Sequence, residues 1–343
     1  MEQSTIGSVS GCCGSMSWWL WCRKGENEAF YVMRKISILI PAYNEEESLP
    51  CLCGELDKVM GDLPEYDWEV LFVNDGSSDN TLRLIKEYRK RDSRFCYVDL
   101  SRNFGKESAM LAGLDYVTGD CVIIMDADLQ DPPSLLSRMI AYWEEGYDDV
   151  YARRTFRGKE PWWRRKLSLA FYKLLQFTTN IDVLQNVGDF RLLDRKCIEA
   201  LRRMRETERY TKGLFCWIGY HKKEVLFDRA DRCAGKTSFN LLKLMNLGIE
   251  GVTSFTTAPL RISAVVGIFI SLVAFIYMCY ILVKTLVWGD PVQGFPTLMV
   301  VILFLGGIQL IFLGIMGEYL GRIFNETKKR PVYIAREYND EIV

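Results

Sequence analysis

Two carboxylates separated by one residue follow a short apolar run in the middle of the sequence. The run is Val122-Ile123-Ile124-Met125, and Asp126, Asp128 and Gln130 come after it at alternate positions. Such a run predicts a buried strand, in which residues i and i+2 share a face. Two carboxylates on one face repel each other unless a cation lies between them, and hard divalent cations favour oxygen ligands. The pattern therefore indicates a divalent-cation site. The alternative is a polar turn with an Asp near a helix N-terminus.

Alternating strand and helix patterns lead up to this motif. We predict strands at 36–40, 68–73, 95–100 and 121–125, and helices at 46–60, 80–90 and 106–116. This alternation is typical of a mostly parallel sheet covered by helices, with ligands at the carboxyl ends of the strands. Every polar cluster in this part of the sequence falls at one of those ends, which favours an enzyme.

Three further polar clusters end the first three predicted strands. They are Pro41–Glu47, Asn74–Thr81 and Ser101–Lys106. The second cluster also fits an ordinary turn, in which Gly76 permits the tight bend. The third places the cation of Lys106 at a helix start, where it is electrostatically unfavourable unless an anion lies nearby.

Composition separates a polar first part from an apolar end. The 343 residues carry a net charge of -1, which gives no indication of nucleic-acid binding. Two uncharged runs, Ile262–Val283 and Pro296–Gly317, exceed the roughly 18 residues that mark a membrane span. We predict transmembrane helices at about 262–286 and 296–317. Lys and Arg are absent from the loop between them and follow the second run, so both ends should face the cytosol. Glycines in the second run favour close helix packing and a possible homo-oligomer.

Cysteine and histidine provide no evidence for a metal or disulfide framework. The 11 Cys lack metal-like spacing, and His221 is the single histidine. We interpret the cysteines as free thiols in a reducing cytoplasm, most of them small apolar residues.

The polar clusters together resemble a known family. Pro41-Ala42-Tyr43-Asn44-Glu45, Asn74-Asp75-Gly76-Ser77 and Asp126-Ala127-Asp128-Leu129-Gln130-Asp131-Pro132-Pro133 are similar, in order and spacing, to the motifs of family 2 inverting glycosyltransferases. The chain more closely resembles bacterial polyprenyl-phosphate (bactoprenol) glycosyltransferases, which are related to dolichol-phosphate mannose synthases, from about Lys35 to about Arg330. The resemblance implies an α/β fold of GT-A type with a Rossmann-like, mostly parallel sheet. It also implies interfacial amphipathic helices and a C-terminal transmembrane hairpin.

The resemblance also implies roles for individual residues. Asp126, Asp128 and Gln130 would bind Mg²⁺ or Mn²⁺, and Asp189 and Asp128 would be catalytic. The acceptor phosphate would contact Arg154, Arg157 and Lys236, although an exposed basic face would also explain the arginines. The nucleotide would contact Pro41, Tyr43, Glu45, Asp75, Lys106, Asp126 and Ala127.

Composition, hydropathy and the resemblance together suggest limits for the parts of the chain. Residues 1–33 would be a disordered or non-native extension, 34–235 the GT-A domain, 236–258 a juxtamembrane amphipathic segment, 259–324 the two transmembrane helices and 325–343 a cytoplasmic tail. Segments 162–177 and 239–247 mix aromatics, leucines and cations at helical spacing. This pattern suits helices in the membrane interface, although core helices would also explain it.

The expected activity is inverting transfer of a hexose from a nucleotide sugar to undecaprenyl phosphate, at the bacterial cytoplasmic membrane. The product would be a lipid-linked sugar for cell-envelope glycans. UDP-glucose is the expected donor, while UDP-N-acetylhexosamines and GDP-mannose stay open. A polysaccharide synthase is one alternative, although the Gln-x-x-Arg-Trp pattern of such enzymes is missing. A non-catalytic membrane scaffold is the other.

Overall fold

Four parallel strands form the centre of the sheet. They are β1 (Lys35–Ala42), β2 (Asp67–Asn74), β3 (Phe95–Leu100) and β4 (Cys121–Ile124), and they lie side by side in the order β3-β2-β1-β4. All four were predicted, because strands covered on both faces carry nearly continuous apolar runs. The computed structural model describes residues 33–155, 187–207, 209–227, 258–288 and 294–343.

Five more strands extend the sheet on both sides. They are β5 (Asp149–Arg154), β6 (Val187–Asp194), β7 (Lys222–Phe227), β8 (Ala335–Tyr338) and β9 (Glu341–Ile342), and the full order is β7-β5-β6-β4-β1-β2-β3-β8-β9. The pairings make β6 and β8 run opposite to the other seven strands of this sheet. The predicted α/β fold with a mostly parallel sheet is therefore confirmed.

Helices cover both faces of the sheet. They are α1 (Leu49–Asp62), α2 (Thr81–Arg91), α3 (Lys106–Tyr116), α4 (Leu136–Glu144), α5 (Arg195–Arg202) and α6 (Thr211–Trp217). Alternate residues of a strand point to opposite faces, so Ile38 belongs to one apolar layer and Leu39 to the other.

Helix α1 begins three residues later than predicted, at Leu49 rather than at residue 46. The backbone N–H of Glu45 donates to Thr81 Oγ1 at 2.8 Å, and that of Glu46 donates to the Asp79 carboxylate at 3.2 Å. Asn44 has a left-handed backbone, with φ of 55°. These contacts hold the start of the predicted helix in a loop between two strand ends.

Two long helices follow, α7 (Ala258–Trp288) and α8 (Phe295–Thr327). Their length and composition give one candidate membrane span, Phe304–Thr327, and one shorter apolar stretch, Ile262–Tyr277. The helices touch where the Phe312 ring lies 3.5 Å from the position that a Cβ on Gly267 would take. The α8 glycines have no such neighbour within 4 Å in the described chain, and subunit packing through them stays a prediction.

The C-terminal tail returns to the sheet, which the sequence had not indicated. Strand β8 pairs with β3, and β9 pairs with β8. The Lys86 ammonium lies 2.7 Å from the Glu337 carboxylate, and Tyr97 Oη lies 2.6 Å from the same carboxylate. The segment that follows α8 is thus a structural part of the α/β domain.

Several predictions lie outside the described residues. They concern the extension 1–32, the amphipathic segments 162–177 and 239–247, the loop 289–293, and the acceptor-site candidates Arg157 and Lys236. The predicted domain limits also stay predictions.

Candidate active site

A cavity of about 260 Å³ opens at the carboxyl ends of the central strands. It brings together all seven residues predicted to contact a nucleotide. Its lining comprises Pro41, Ala42, Tyr43, Glu45, Asp75, Asn103, Gly105, Lys106, Ala109, Asp126, Ala127 and Asp128. The first three polar clusters and the Asp-Ala-Asp motif therefore meet at one site, as expected for the end of a parallel sheet.

Asp75 directly follows β2 and lines the cavity. This buried carboxylate accepts hydrogen bonds from the backbone N–H groups of Phe104 at 2.7 Å and Gly105 at 2.9 Å. Burial raises the pKa of Asp75, although the two N–H groups oppose the rise. Asp75 thus fixes the loop that follows β3.

Gly76 allows the loop after β2 to pack closely against the loop after β3. Its φ is +65°, and a Cβ there would lie 2.5 Å from the backbone carbon of Arg102. A side chain would therefore be strained by the backbone conformation and would collide with the neighbouring loop.

Glu45 lines the same cavity. Its carboxylate accepts a hydrogen bond from Ser48 Oγ at 2.5 Å. Burial raises the pKa of Glu45, the Ser48 hydrogen bond opposes this, and Asp128 and Asp126 raise it further. Three carboxylates therefore share one electrostatic environment, which a bound cation would stabilise.

The turn after β4 holds the Asp-Ala-Asp motif in an unusual backbone. Leu129 has φ of 57°, a left-handed conformation that is uncommon for a side chain of this size. The Gln130 N–H donates to Asp128 Oδ1 at 3.2 Å. Gln130 is buried, and its Oε1 has no hydrogen-bond partner in the described part of the chain.

Asp131, the next residue, has an environment that sequence reasoning did not reveal. Burial raises the pKa of this carboxyl to about 6, and Asp126 and Asp128 contribute, while Arg154 and Lys106 oppose the shift. Asp131 is therefore a buried carboxyl that is influenced by the charges of the motif carboxylates, Arg154 and Lys106.

Lys106 connects two parts of the site that are 83 residues apart in sequence. Its ammonium lies 2.5 Å from Asp126 Oδ1 and 2.7 Å from Asp189 Oδ2. Burial alone would lower the pKa of Lys106, but the two carboxylates outweigh it and raise the pKa. The sequence predicted an anion beside the Lys106 cation at this helix start. The structure places two there, Asp126 and Asp189.

Asp189 lies on β6, beside the end of β5. Burial would raise its pKa, but the charges of Lys106, Lys212 and Arg191 outweigh this and lower the pKa below its usual range. Its second oxygen, Oδ1, is buried and accepts no hydrogen bond from any described residue. The site therefore keeps an ionised carboxylate with one unused acceptor.

Arg154 ends β5 and reaches over β6. Its Nη2 lies 3.5 Å from the position that a Cβ on Gly188 would take, next to Asp189. Its Nε is buried and donates to no described group. An unused guanidinium donor on β5 and an unused carboxylate oxygen on the neighbouring β6 suit a polar ligand, since such buried groups are costly to leave unpaired.

The oxygen donors at the cavity suit a hard divalent cation. No group of three or more His, Cys, Asp or Glu side chains in a metal-binding arrangement occurs among the described residues. Asp126, Asp128 and Gln130 instead offer two carboxylates and one amide oxygen, and the unpartnered Gln130 Oε1 is an acceptor that a cation would satisfy. This set is incomplete alone, which fits a metal that also binds substrate phosphates.

Arg191 is a buried structural cation that sequence reasoning did not single out. Its Nη1 lies 3.1 Å from the Asp149 carboxylate, and its guanidinium lies 3.7 Å from the centre of the Phe215 ring. It connects β6, β5 and α6 behind Asp189. A charge within an otherwise apolar strand, Phe190-Arg191-Leu192, is the signal that could have revealed this position.

Comparisons with known proteins identify the families that this chain resembles. Residues 37–202 match the family described as Glycosyl transferase family 2, and residues 258–323 match the GtrB C-terminal hairpin. An uncharacterized glycosyltransferase of Synechocystis sp. is 45% identical over 303 residues, which cover 88% of this chain and 95% of that protein.

The chain belongs to glycosyl transferase family 2. Two further relatives support this. A putative glycosyltransferase of Bacillus subtilis is 46% identical over 89% of this chain and 92% of its own. A prophage bactoprenol glucosyl transferase homolog of Escherichia coli is 43% identical over 88% of this chain and 98% of its own. The family 2 enzyme is thus a transferase with the predicted GT-A architecture. The hairpin match and the apolar helix indicate membrane association.

Proposed function

We propose that this enzyme transfers glucose from UDP-glucose to a polyprenyl phosphate such as undecaprenyl phosphate, with inversion at the anomeric carbon. The observation that carries the proposal is the joint position of Asp126 and Asp189 on one ammonium, that of Lys106. A donor-side carboxylate and an acceptor-side carboxylate then lie within one reaction centre. Relatives that are named bactoprenol glucosyl transferases support the choice of sugar and lipid.

In this proposal the nucleotide occupies the cavity lined by Tyr43 and Asp75, with its diphosphate towards Asp126 and Asp128. Asp126, Asp128 and Gln130 would hold Mg²⁺ or Mn²⁺, which supplies charge neutralisation on the departing diphosphate. Lys106 lies at the same cavity and adds a second positive charge near it.

The acceptor phosphate lies on the Asp189 side, next to Arg154. A phosphate oxygen attacks the anomeric carbon while the bond from that carbon to the UDP oxygen breaks, and UDP leaves with the electron pair. A phosphomonoester has its second pKa near 6 and is a nucleophile at neutral pH without a general base. Asp189, held ionised by Lys106, then orients the cations and the acceptor. Arg157 and Lys236 are proposed to join Arg154 at this phosphate.

The orientation of the membrane hairpin follows the same logic. The segment after α8 returns to the sheet, so the C-terminal end of α8 lies on the side of the catalytic domain. The nucleotide sugar is a cytosolic compound, and the proposal therefore puts both ends of the hairpin at the cytosolic face of the bacterial inner membrane.

The test is a panel of nucleotide sugars with undecaprenyl phosphate, Mg²⁺ or Mn²⁺ and the purified full chain, read by product mass. We expect one lipid-linked hexose from UDP-glucose, labile to mild acid, and none from an Asp128→Asn control. A product from another sugar nucleotide would replace glucose in the proposal. Polymer instead of a lipid-linked monosaccharide would identify a polysaccharide synthase, and the absence of any product would favour a scaffold.

An epitope test examines the orientation separately. One epitope is inserted between Asp290 and Pro291, and another follows Val343. In spheroplasts we expect an antibody to detect the first epitope without permeabilisation and the second only after it. The opposite pattern would place the cavity proposed to bind the nucleotide sugar outside the cytosol, and would contradict the proposed orientation.

A further inference from the structure

The C-terminal tail contacts the end of β3 through one side chain. Arg336 Nη1 lies 3.3 Å from Asp99 Oδ2, and Arg336 Nη2 donates to the backbone oxygen of Ser101 at 2.8 Å. The Ser101 N–H in turn donates to the backbone oxygen of Ile334 at 2.9 Å. The tail therefore binds both the last part of β3 and the first residue of the loop that follows it.

Asp99 also contacts the neighbouring strand, β2. Its side chain is 2% exposed, and Oδ1 accepts a hydrogen bond from Asn74 Nδ2 at 2.7 Å. Asn74 is the last residue of β2, and its Oδ1 accepts from the Ser77 N–H at 3.3 Å. A buried carboxylate thus connects the tail with the loop that carries Asp75 and Gly76.

The loop after β3 is held at both ends, at Ser101 by the tail and at Phe104 and Gly105 by Asp75. Ser101 begins the loop, and its Phe104 and Gly105 N–H groups hold the Asp75 carboxylate. Asn103 and Gly105 line the cavity themselves. Two loops of the donor pocket therefore depend on Asp99 and Ser101, and Arg336 binds both of these.

We infer that Arg336 is a positioning residue for the nucleotide, acting through Asp99 and Asn74 from the tail that follows the second membrane helix. The inference rests on the proposed nucleotide-sugar function of the cavity. Arg336 lines no part of that cavity, so its effect is on the shape of the loops and not on direct contact.

The expected effect of removing Arg336 on nucleotide binding depends on the burial of Arg336 and of Asp99, which differs. The Arg336 side chain is 60% exposed, so water replaces part of its interaction when it is removed. Asp99 is buried, however, and would keep only Asn74 as a side-chain partner among the described residues. Loss of one hydrogen bond to a buried charge corresponds to roughly a tenfold change in an equilibrium constant.

The experiment compares Arg336→Ala with Lys86→Met in the full chain. Lys86 binds the adjacent tail residue, Glu337, but touches neither Asp99 nor Ser101 in the described structure. We expect Arg336→Ala to raise KM for UDP-glucose, and Kd for UDP with Mn²⁺ by calorimetry, roughly tenfold, with kcat within about twofold. Arg336→Lys should restore part of the affinity. Lys86→Met should leave both constants within about twofold.

A double-mutant cycle tests the route. In an Asn74→Ala background, Arg336→Ala should raise KM by clearly less than tenfold, because the route through Asp99 is already broken and only the contact with Ser101 is lost. Equal effects of Arg336→Ala and Lys86→Met would overturn the inference, since general loosening of the tail would then explain both. Full additivity with Asn74→Ala would overturn the route through Asp99. A wild-type chain inactive with every nucleotide sugar would instead count against the proposed function.

Discussion

The ammonium of Lys106 lies 2.7 Å from Oδ2 of Asp189, although the two residues are 83 positions apart. The same ammonium lies 2.5 Å from Asp126 Oδ1, on the proposed metal side of the cavity. Lys106 therefore lies between Asp126, on the proposed donor side, and Asp189, on the proposed acceptor side. Its charge offsets both carboxylates, and it would compete for Asp126 with the divalent cation proposed to bind there.

This competition gives a prediction for Lys106→Met. Without its ammonium, Asp126 has both oxygens available, so Mn²⁺ should bind more tightly in the absence of nucleotide. Turnover should nevertheless fall by roughly 10²-fold or more, because the two carboxylates lose the group that aligns them. Titration of Mn²⁺ by paramagnetic resonance and steady-state kinetics measure the two effects. Unchanged or weaker Mn²⁺ binding would show that Lys106 does not compete for the metal side.

A second prediction concerns the role of Asp189. Its lowered pKa keeps the carboxylate ionised as the pH falls, so its contribution to stability is lost only below its ordinary pKa near 4. Between about pH 6 and 9 the group does not titrate. The kcat profiles of wild type and Asp189→Asn should therefore run parallel over this range, with the variant lower by roughly 10²-fold or more. An acidic limb in wild type that disappears in Asp189→Asn would instead identify a general base.

Asp128→Asn should separate metal binding from folding. The substituted amide oxygen can still accept the Gln130 N–H, which the carboxylate accepts at 3.2 Å. Burial is the main cause of the raised pKa of Glu45, and repulsion from Asp128 and Asp126 adds to it. Removal of the Asp128 charge relieves part of this repulsion. We expect turnover to be lost and Tm without metal to hold or rise, as measured by scanning calorimetry with and without Mn²⁺. A marked fall in Tm without metal would assign Asp128 to the turn and not to the cation.

Gly76→Ala should destabilise the donor-side loops. The positive φ costs about 1–3 kcal/mol for a residue with a side chain, and the collision with the Arg102 backbone adds a similar amount. We expect the free energy of unfolding to fall by about 3 kcal/mol in urea titrations. The matched control is Gly54→Ala on the exposed side of α1, where a Cβ meets nothing within 4 Å. It should raise stability by about 0.5–1 kcal/mol.

The sequence predicted the four central strands because each is an apolar run bounded by turn residues. It also predicted that their polar ends would meet, since parallel strands place those ends at one edge. Strand β8, Ala335-Arg336-Glu337-Tyr338, has neither a long apolar run nor a buried face, and its pairing depends on contacts with distant residues such as Lys86 and Tyr97. The link between Lys106 and Asp189 was beyond reach for the same reason. Spacing along the chain gives no information about which ammonium will meet which carboxylate across a fold.

The connection from α8 to β8 is short, and it limits the distance between the end of the helix and the sheet. Only residues 328–334 separate the helix from the strand, so the attachment cannot extend beyond about 30 Å. Glu326 shortens it further by accepting the Thr207 N–H at 2.8 Å. The catalytic domain is thus held near the C-terminal end of a membrane-associated helix. The lipid acceptor of the proposed function would then reach the site by lateral diffusion, a search in two dimensions, while the proposed water-soluble donor would arrive from the cytosol.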